Sequence, residues 1–328
     1  MYKTFAILLL FSIAIYGDAE FAKATTACDK FALSSVDVLV QKQKNVRAIS
    51  LKKTNFYSLD NLTTIDVIGS NISQLCEGIV RNFPTLRTLS LINANLTDIE
   101  PGAFQNVPKL EFLSLAVNRL THIPRGVFNI IKSLKSVYLT SNEIESIEDA
   151  AFAELPNLKA VHLDHNRLVD LTGNIFFGSR RLSLVDFSYN QLTSITESAF
   201  DDLKSVTNVS RLNIRLQRNQ IKTVHERALN SLPPIRLHLE YNFLTRLSEI
   251  VAQVKEFSEV FIGNNQIECI PDDVLDLIKV SKITLDVSNN PVDCQCVDRI
   301  TEVLSGIESK GQLNVNTTLR CSIDFPSF

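Results

Sequence analysis

Apolar residues recur along this chain in a fixed frame. Leu86-x-x-Leu89-x-Leu91 is followed by Leu110-x-x-Leu113-x-Leu115, Leu134-x-x-Val137-x-Leu139, Leu158-x-x-Val161-x-Leu163 and Leu182-x-x-Val185-x-Phe187, five copies with a 24-residue period. The frame continues with looser spacing at Ile214-x-Leu216, Leu237-x-Leu239, Val260-x-Ile262 and Leu285-x-Val287. Two degenerate copies precede it, Val46-x-x-Ile49-x-Leu51 and Leu62-x-x-Ile65-x-Val67, for about eleven in all. Alternation within each copy predicts a short strand with one buried face. One such unit cannot bury its apolar side alone, so copies must stack, with parallel strands roughly 4.8 Å apart.

Two further positions of the frame carry structural work. Position 9 is Asn118, Asn142, Asn166, Asn190, Asn219, Asn242, Asn265 and Asn290. An amide there can both donate to and accept from turn backbones that would otherwise be buried and unpaired. Earlier copies carry Thr54, Ser70 and Ala94, so this ladder is expected to weaken toward the N-terminus. Position 19 is Phe104, Phe128, Phe152, Phe176 and Phe200, which predicts an aromatic spine inside the core.

These residues resemble the signature of extracellular leucine-rich repeats, L-x-x-L-x-L-x-x-N-x-L-x-x-I followed by a Phe, from roughly Val46 to Val292. The resemblance implies an α/β leucine-rich-repeat solenoid, a curved arc with a parallel sheet on its concave face. It also implies recognition of a protein, peptide, glycan or lipid ligand across that face or one flank.

Lys3, the apolar run Phe5–Tyr16 and the small residues of Gly17-Asp18-Ala19 read as a signal peptide over residues 1–19, too short for a membrane span. A cap over residues 20–45, the solenoid over 46–292 and a second cap over 293–328 complete the expected organisation. No later segment is apolar enough to span a membrane, and the C-terminus lacks a lipid-anchor signal, so the mature chain is expected to be secreted and extracellular. Sequons at Asn61, Asn71, Asn95, Asn208 and Asn316 agree with export. A net charge of −3 gives no reason to expect nucleic acid or an anionic membrane as partner.

The six cysteines lie where a solenoid needs closing. Cys28 lies in the expected first cap, whose Val36, Val38 and Val40 read as short strands, and Cys76 just after the second repeat, so a Cys28–Cys76 disulfide would tie the cap down. At the other end Cys269 and Cys294 both fall at position 13 of their copies, close enough in stacked coils for a bond. That reading predicts Cys269–Cys294 and Cys296–Cys321. Asn290-Pro291-Val292-Asp293-Cys294-Gln295-Cys296 also resembles the start of the family's C-terminal cap, which implies the competing pair Cys294–Cys321 with Cys296 free or joined to Cys269. A zinc site on Cys294 and Cys296 is the weakest reading, because no His lies near and export favours disulfides.

Exposed strand positions change character along the array. Ser90, Ile92, Ser114 and Ala116 are small or apolar. Tyr138 then opens a polar-aromatic series: His162, Asp164, His165, Asp186, Tyr189, Arg215, Gln217, Arg218, His238, Glu240, Tyr241 and Phe261. Tyr, Arg and His are what interface hot spots favour, so these are the expected ligand-binding residues. A metal set of His162, Asp164 and His238 is set aside, because His238 stands three coils away, roughly 14 Å by strand spacing. No metal or cofactor is expected. Between Leu203 and Leu212 five extra residues, next to the Asn208 sequon, interrupt the period.

The sequence carries no nucleophile elbow, zinc-protease, Walker or dinucleotide motif, so the expectation is a binding protein and not an enzyme. The architecture is similar to the secreted leucine-rich immune proteins of insects, of the type without a C-terminal coiled coil. This resemblance implies innate-immune recognition or scaffolding. A cell-adhesion or receptor-type ectodomain, and an inhibitor that wraps an enzyme, are the alternatives; oligomeric state is not readable.

Overall fold

The computed structural model describes residues 37–42, 45–50, 63–69, 72–207, 209–304 and 311–315. The expected signal peptide, Cys28, Cys321 and the sequons at Asn61, Asn71, Asn208 and Asn316 lie outside these residues; Asn95 lies within them and is exposed. The chain divides between Leu158 and Lys159 into two compact units.

In the first unit the strands Thr64–Ile68, Thr88–Ile92, Phe112–Ser114 and Ser136–Tyr138 pair in parallel. Leu89 stands opposite Leu113 and Leu113 opposite Val137, so the sequence period is the ladder register. Side chains facing in, among them Leu89, Leu91, Leu113, Leu115, Val137 and Leu139, are buried to within 2%. Each such side chain contributes about 1.5–3 kcal/mol through burial, and the register repeats this in every coil.

The first degenerate copy departs from the expectation. Strand Asn45–Ser50 is not a stacked repeat: it pairs antiparallel with Asp37–Lys42, which in turn pairs antiparallel with Thr64–Ile68. Only two residues separate Lys42 from Asn45, and a parallel pairing needs a crossover of a dozen or more. The parallel array therefore starts at Thr64.

The second unit stacks Ala160–His162, Leu184–Asp186, Leu212–Arg215, Ile235–His238, Glu259–Phe261, Thr284–Asp286 and Gln312–Asn314, all in parallel. The insertion is absorbed between the second and third of these strands: Asp186 pairs with Arg215 across a 29-residue step while the ladder stays in register. A 3₁₀ turn, Asp201–Ser205, lies in the second half of that longer connection. The last strand, Gln312–Asn314, was not anticipated and carries the parallel array into the C-terminal cap. Gly311 makes it possible, since a Cβ there would come within 2.7 Å of the Ile283 carbonyl oxygen.

The side opposite the sheet is built mostly of turns, two-residue parallel ribbons such as His122–Ile123 with Ser146–Ile147, and short helices near the C-terminal end. The phenylalanine spine lies within this core as expected. Phe104, Phe128, Phe152, Phe176 and Phe200 are all buried. Phe128 sits 6.2 Å from Phe104 and 5.4 Å, stacked, from Phe152.

The asparagine ladder performs the bonding its chemistry predicts. Asn118 Oδ1 accepts from the N–H groups of Ala94 (2.8 Å) and Leu96 (3.1 Å), while its Nδ2 donates to the carbonyls of Leu91 and Leu115. Asn219 does the same between Leu192 N–H, Phe187 O and Leu216 O, and Asn290, with no exposed surface, closes the series. Where Ala94 replaces the amide, the preceding coil is met by its carbonyl instead, which accepts from Ile72 N–H at 2.7 Å.

The C-terminal disulfide corrects the stacking argument. Cys269 bonds to Cys296, with Cα atoms 5.5 Å apart, and not to Cys294. Ladder register persists as far as Asp293, whose N–H donates to Glu268 O, but at Cys294 the chain turns into the helix Cys294–Leu304. Residues two apart on a helix point to nearly opposite sides. Cys296 therefore faces the core and is 3% exposed, while Cys294 faces solvent. Cys76 and Cys294 are also disulfide-bonded.

Candidate functional site

The polar-aromatic series falls on the solvent side of the strands, and register decides which members meet. In the second unit two rows can be followed from coil to coil.

The first row holds His162, Asp186, Arg215, His238 and Phe261, which are successive Cα partners across the sheet. Asp186 is the exception to the expected exposure, at 5%. Its Oδ1 accepts from Ser188 Oγ (2.6 Å) and Ser188 N–H (3.0 Å), and its Oδ2 accepts from Arg215 (3.1 Å). Ser188, two residues on, folds back over the carboxylate, so Asp186 orients its neighbours and offers a partner little surface. Further along, the His238 and Phe261 rings stack at 4.7 Å, and His238 Nδ1 lies 2.9 Å from Glu240 Oε1.

Burial pushes the pKa of the half-buried His162 below its ordinary value. Arg215 acts in the same direction, while the Asp186 and Asp164 carboxylates pull the other way. Asp164 lies two residues along, and its Oδ2 is 3.1 Å from His165 Nδ1. The ligand atoms of His162, Asp164 and Asp186 all come within 4.8 Å of one another. Asp186, the in-register neighbour of His162, completes this group; His238, two strands further on, does not belong to it.

The remaining row was not recognised in the sequence as a row. His165, Tyr189, Arg218 and Tyr241 each immediately precede the buried asparagine of their repeat, and all have positive φ, between 54° and 57°. Their rings meet: His165 stacks on Tyr189 at 4.1 Å, and Arg218 lies over Tyr189 (5.4 Å) and Tyr241 (4.1 Å). Tyr189 is 42% and Tyr241 46% exposed. Left-handed backbone costs a bulky residue about 1–2 kcal/mol, and glycine or asparagine is the inexpensive choice. Asn93, Asn264 and Asn289 make that choice at the same repeat position. The signal available in sequence was the dipeptide itself, a large side chain before each ladder asparagine.

In the first unit Tyr138 is exposed on its strand, while Val117 and Ser141 hold the left-handed position and build no comparable row. At the flank where the insertion enters, a cleft of about 500 Å³ is lined by Lys159, Arg181, Ser183, Val209, Ser210 and Arg211. Arg211 is held there by Glu259, which also takes Arg236 at 2.5 Å.

A stacked array of in-register strands with an amide ladder and a decorated outer face defines a repeat solenoid. The leucine-rich-repeat family model matches residues 60–120, 113–168 and 156–210, so this stretch of the chain is built of leucine-rich repeats. No curated protein matches the sequence. Among solved structures, that of the mouse RP105/MD-1 complex aligns at a TM-score of 0.62 and 21% identity, over 76% of this chain and 42% of the other. The Toll–Spatzle complex, described as a hub in Drosophila development and innate immunity, aligns at 0.58 and 19%, over 81% and 40%. The TLR13–ssRNA13 complex aligns at 0.55 and 20%, over 70% and 31%. The chain thus spans well under half the length of these proteins, and at such identities the likeness concerns the fold. Among the described residues no helix is long and apolar enough to cross a membrane.

Proposed function

We propose that this chain is an exported recognition protein that binds a protein ligand on the outer face of its sheet, in innate-immune recognition or scaffolding. The observation that carries the reading is the stacked row His165–Tyr189–Arg218–Tyr241. Four consecutive coils there place large, exposed, mutually braced side chains on a backbone that disfavours them. Local strain held in place by its surroundings is characteristic of binding sites. Tyr and Arg fixed by stacking also lose little conformational entropy when a partner covers them.

The Cys269–Cys296 bond supports an oxidising compartment, in line with the expected signal peptide and sequons. The Toll and RP105 structures, with Spatzle and MD-1, are of protein complexes, which favours a protein ligand. Because TLR13 is seen with ssRNA, nucleic acid is not excluded by the fold; the net charge of −3 is what argues against it.

The test is capture of partners from the native extracellular fluid by wild type and by a Tyr189→Asn/Arg218→Asn/Tyr241→Asn variant. Asparagine suits the left-handed position, so the variant keeps its fold. Loss of the captured partner is expected, and a variant that retains every partner overturns the reading.

A further inference from the structure

The sheet brings together three side chains that no ligand-binding row requires to converge. His162 and Asp164 are two residues apart with Leu163 buried between them, which puts both on the outer face. Asp186 is the in-register neighbour of His162 on the next strand. This i, i+2 and adjacent-strand arrangement is a compact way to aim three side chains at one point above a sheet. The nitrogen and carboxylate atoms lie within 4.8 Å of one another. An ion about 2.1 Å from each would hold them about 3.4 Å apart, so binding would draw the three groups together.

We propose that His162, Asp164 and Asp186 form a binding site for a divalent transition-metal ion of the zinc class. Both carboxylates already have the outer contacts that such ligands use to hold orientation. Asp164 Oδ2 is 3.1 Å from His165 Nδ1, and Asp186 Oδ1 is fixed by Ser188 Oγ and N–H.

Arg215 is the feature that weighs against a cation, 3.1 Å from Asp186 Oδ2. A carboxylate oxygen has two lone-pair directions, so Oδ2 can keep Arg215 and still face the ion. With Arg215 counted, the two carboxylates leave one net negative charge. A dication would therefore make the site positive, with open positions toward solvent for water or an anionic group. One imidazole nitrogen and only two carboxylates select against calcium, which takes six to eight oxygens.

Metal uptake and partner capture are separate measurements, so this site stands or falls apart from the recognition function. The test uses the full, tag-free chain stripped with chelator, titrated with ZnCl₂ by calorimetry and with CoCl₂ by visible absorption. One ion per chain is expected, with a cobalt band that zinc removes. His162→Gln and Asp164→Asn, both at partly exposed positions, should each weaken binding at least tenfold, with an unchanged circular dichroism spectrum. His122→Gln, beside Asp98 in the first unit, should leave affinity unchanged. Absence of a cobalt band, equal affinity in His162→Gln, or displacement of zinc by equimolar CaCl₂ would overturn the proposal.

Discussion

The guanidinium of Arg218 lies over the Tyr241 ring, 4.1 Å from its centroid, and both residues hold left-handed backbone, φ 56° and 57°. Stacking and strain are thus coupled at one repeat position. The contact contributes about 0.5–1 kcal/mol at an exposed site, and the backbone withdraws about 1–2 kcal/mol. Arg218→Asn removes both, so it should leave unfolding free energy unchanged or raise it by up to about 1.5 kcal/mol. Arg218→Val loses the stack and, being β-branched, worsens the strain, so it should cost about 1–2 kcal/mol. Urea denaturation of the two variants decides; equal effects would show that the backbone term is not at work.

The amide ladder makes a stronger claim. Asn219→Ala strips the acceptor from Leu192 N–H and the donor from Phe187 O and Leu216 O, all buried. An unsatisfied buried group costs about 1–3 kcal/mol, so the variant should lose about 2–4 kcal/mol, partly relieved if water enters. Gln220→Ala, next to it but exposed, should lose almost nothing. Comparable losses in both variants would remove the ladder from the account.

What was legible in sequence follows from what periodicity can encode. Leu89, Leu113 and Val137 repeat every 24 residues and stand opposite one another, because stacking converts a period into a register. Phe128 and Asn118 were placed for the same reason. Three features depend on where the period stops or on neighbours outside it. Asp186 occupies an outward strand position yet is covered, because Ser188 bends back over it. Cys294 matches Cys269 by count, but the helix beginning there turns it to solvent and brings Cys296 in. Val46 to Leu51 fits the apolar template, yet Asn45–Ser50 runs antiparallel, because a two-residue connection admits nothing else. Of the site, the residue types were legible; the rows they form, and the convergence of His162, Asp164 and Asp186, needed the sheet register.

The Cys269–Cys296 link closes a segment with a sequence separation of 27. By loop entropy such a bond stabilises by about 3–4 kcal/mol. Cys296→Ala should lower stability by up to that amount, and also leave a buried site empty. Non-reducing peptide mapping should recover Cys269 with Cys296. Recovery of Cys269 joined to Cys294 would refute the pairing.

The pH dependence should carry the mark of Glu259. Its hydrogen bond from Arg236 holds its carboxyl below the usual carboxylate range; partial burial opposes this, and Arg211 adds to it. A carboxyl depressed in the folded state contributes stability that is fully present above its unfolded pKa and is lost as pH falls through the folded one. Wild type should therefore exceed Glu259→Gln in stability near neutral pH, and the gap should close below the usual carboxylate range. Asp66, whose carboxyl burial pushes up, contributes the opposite slope. For that reason the difference between the two proteins, and not the wild-type curve, is the measure. Both arginines are partly exposed, so 1 M salt should narrow the gap at neutral pH. A gap that stays constant from pH 7 to pH 3 would mean that Glu259 acts through packing and not through charge.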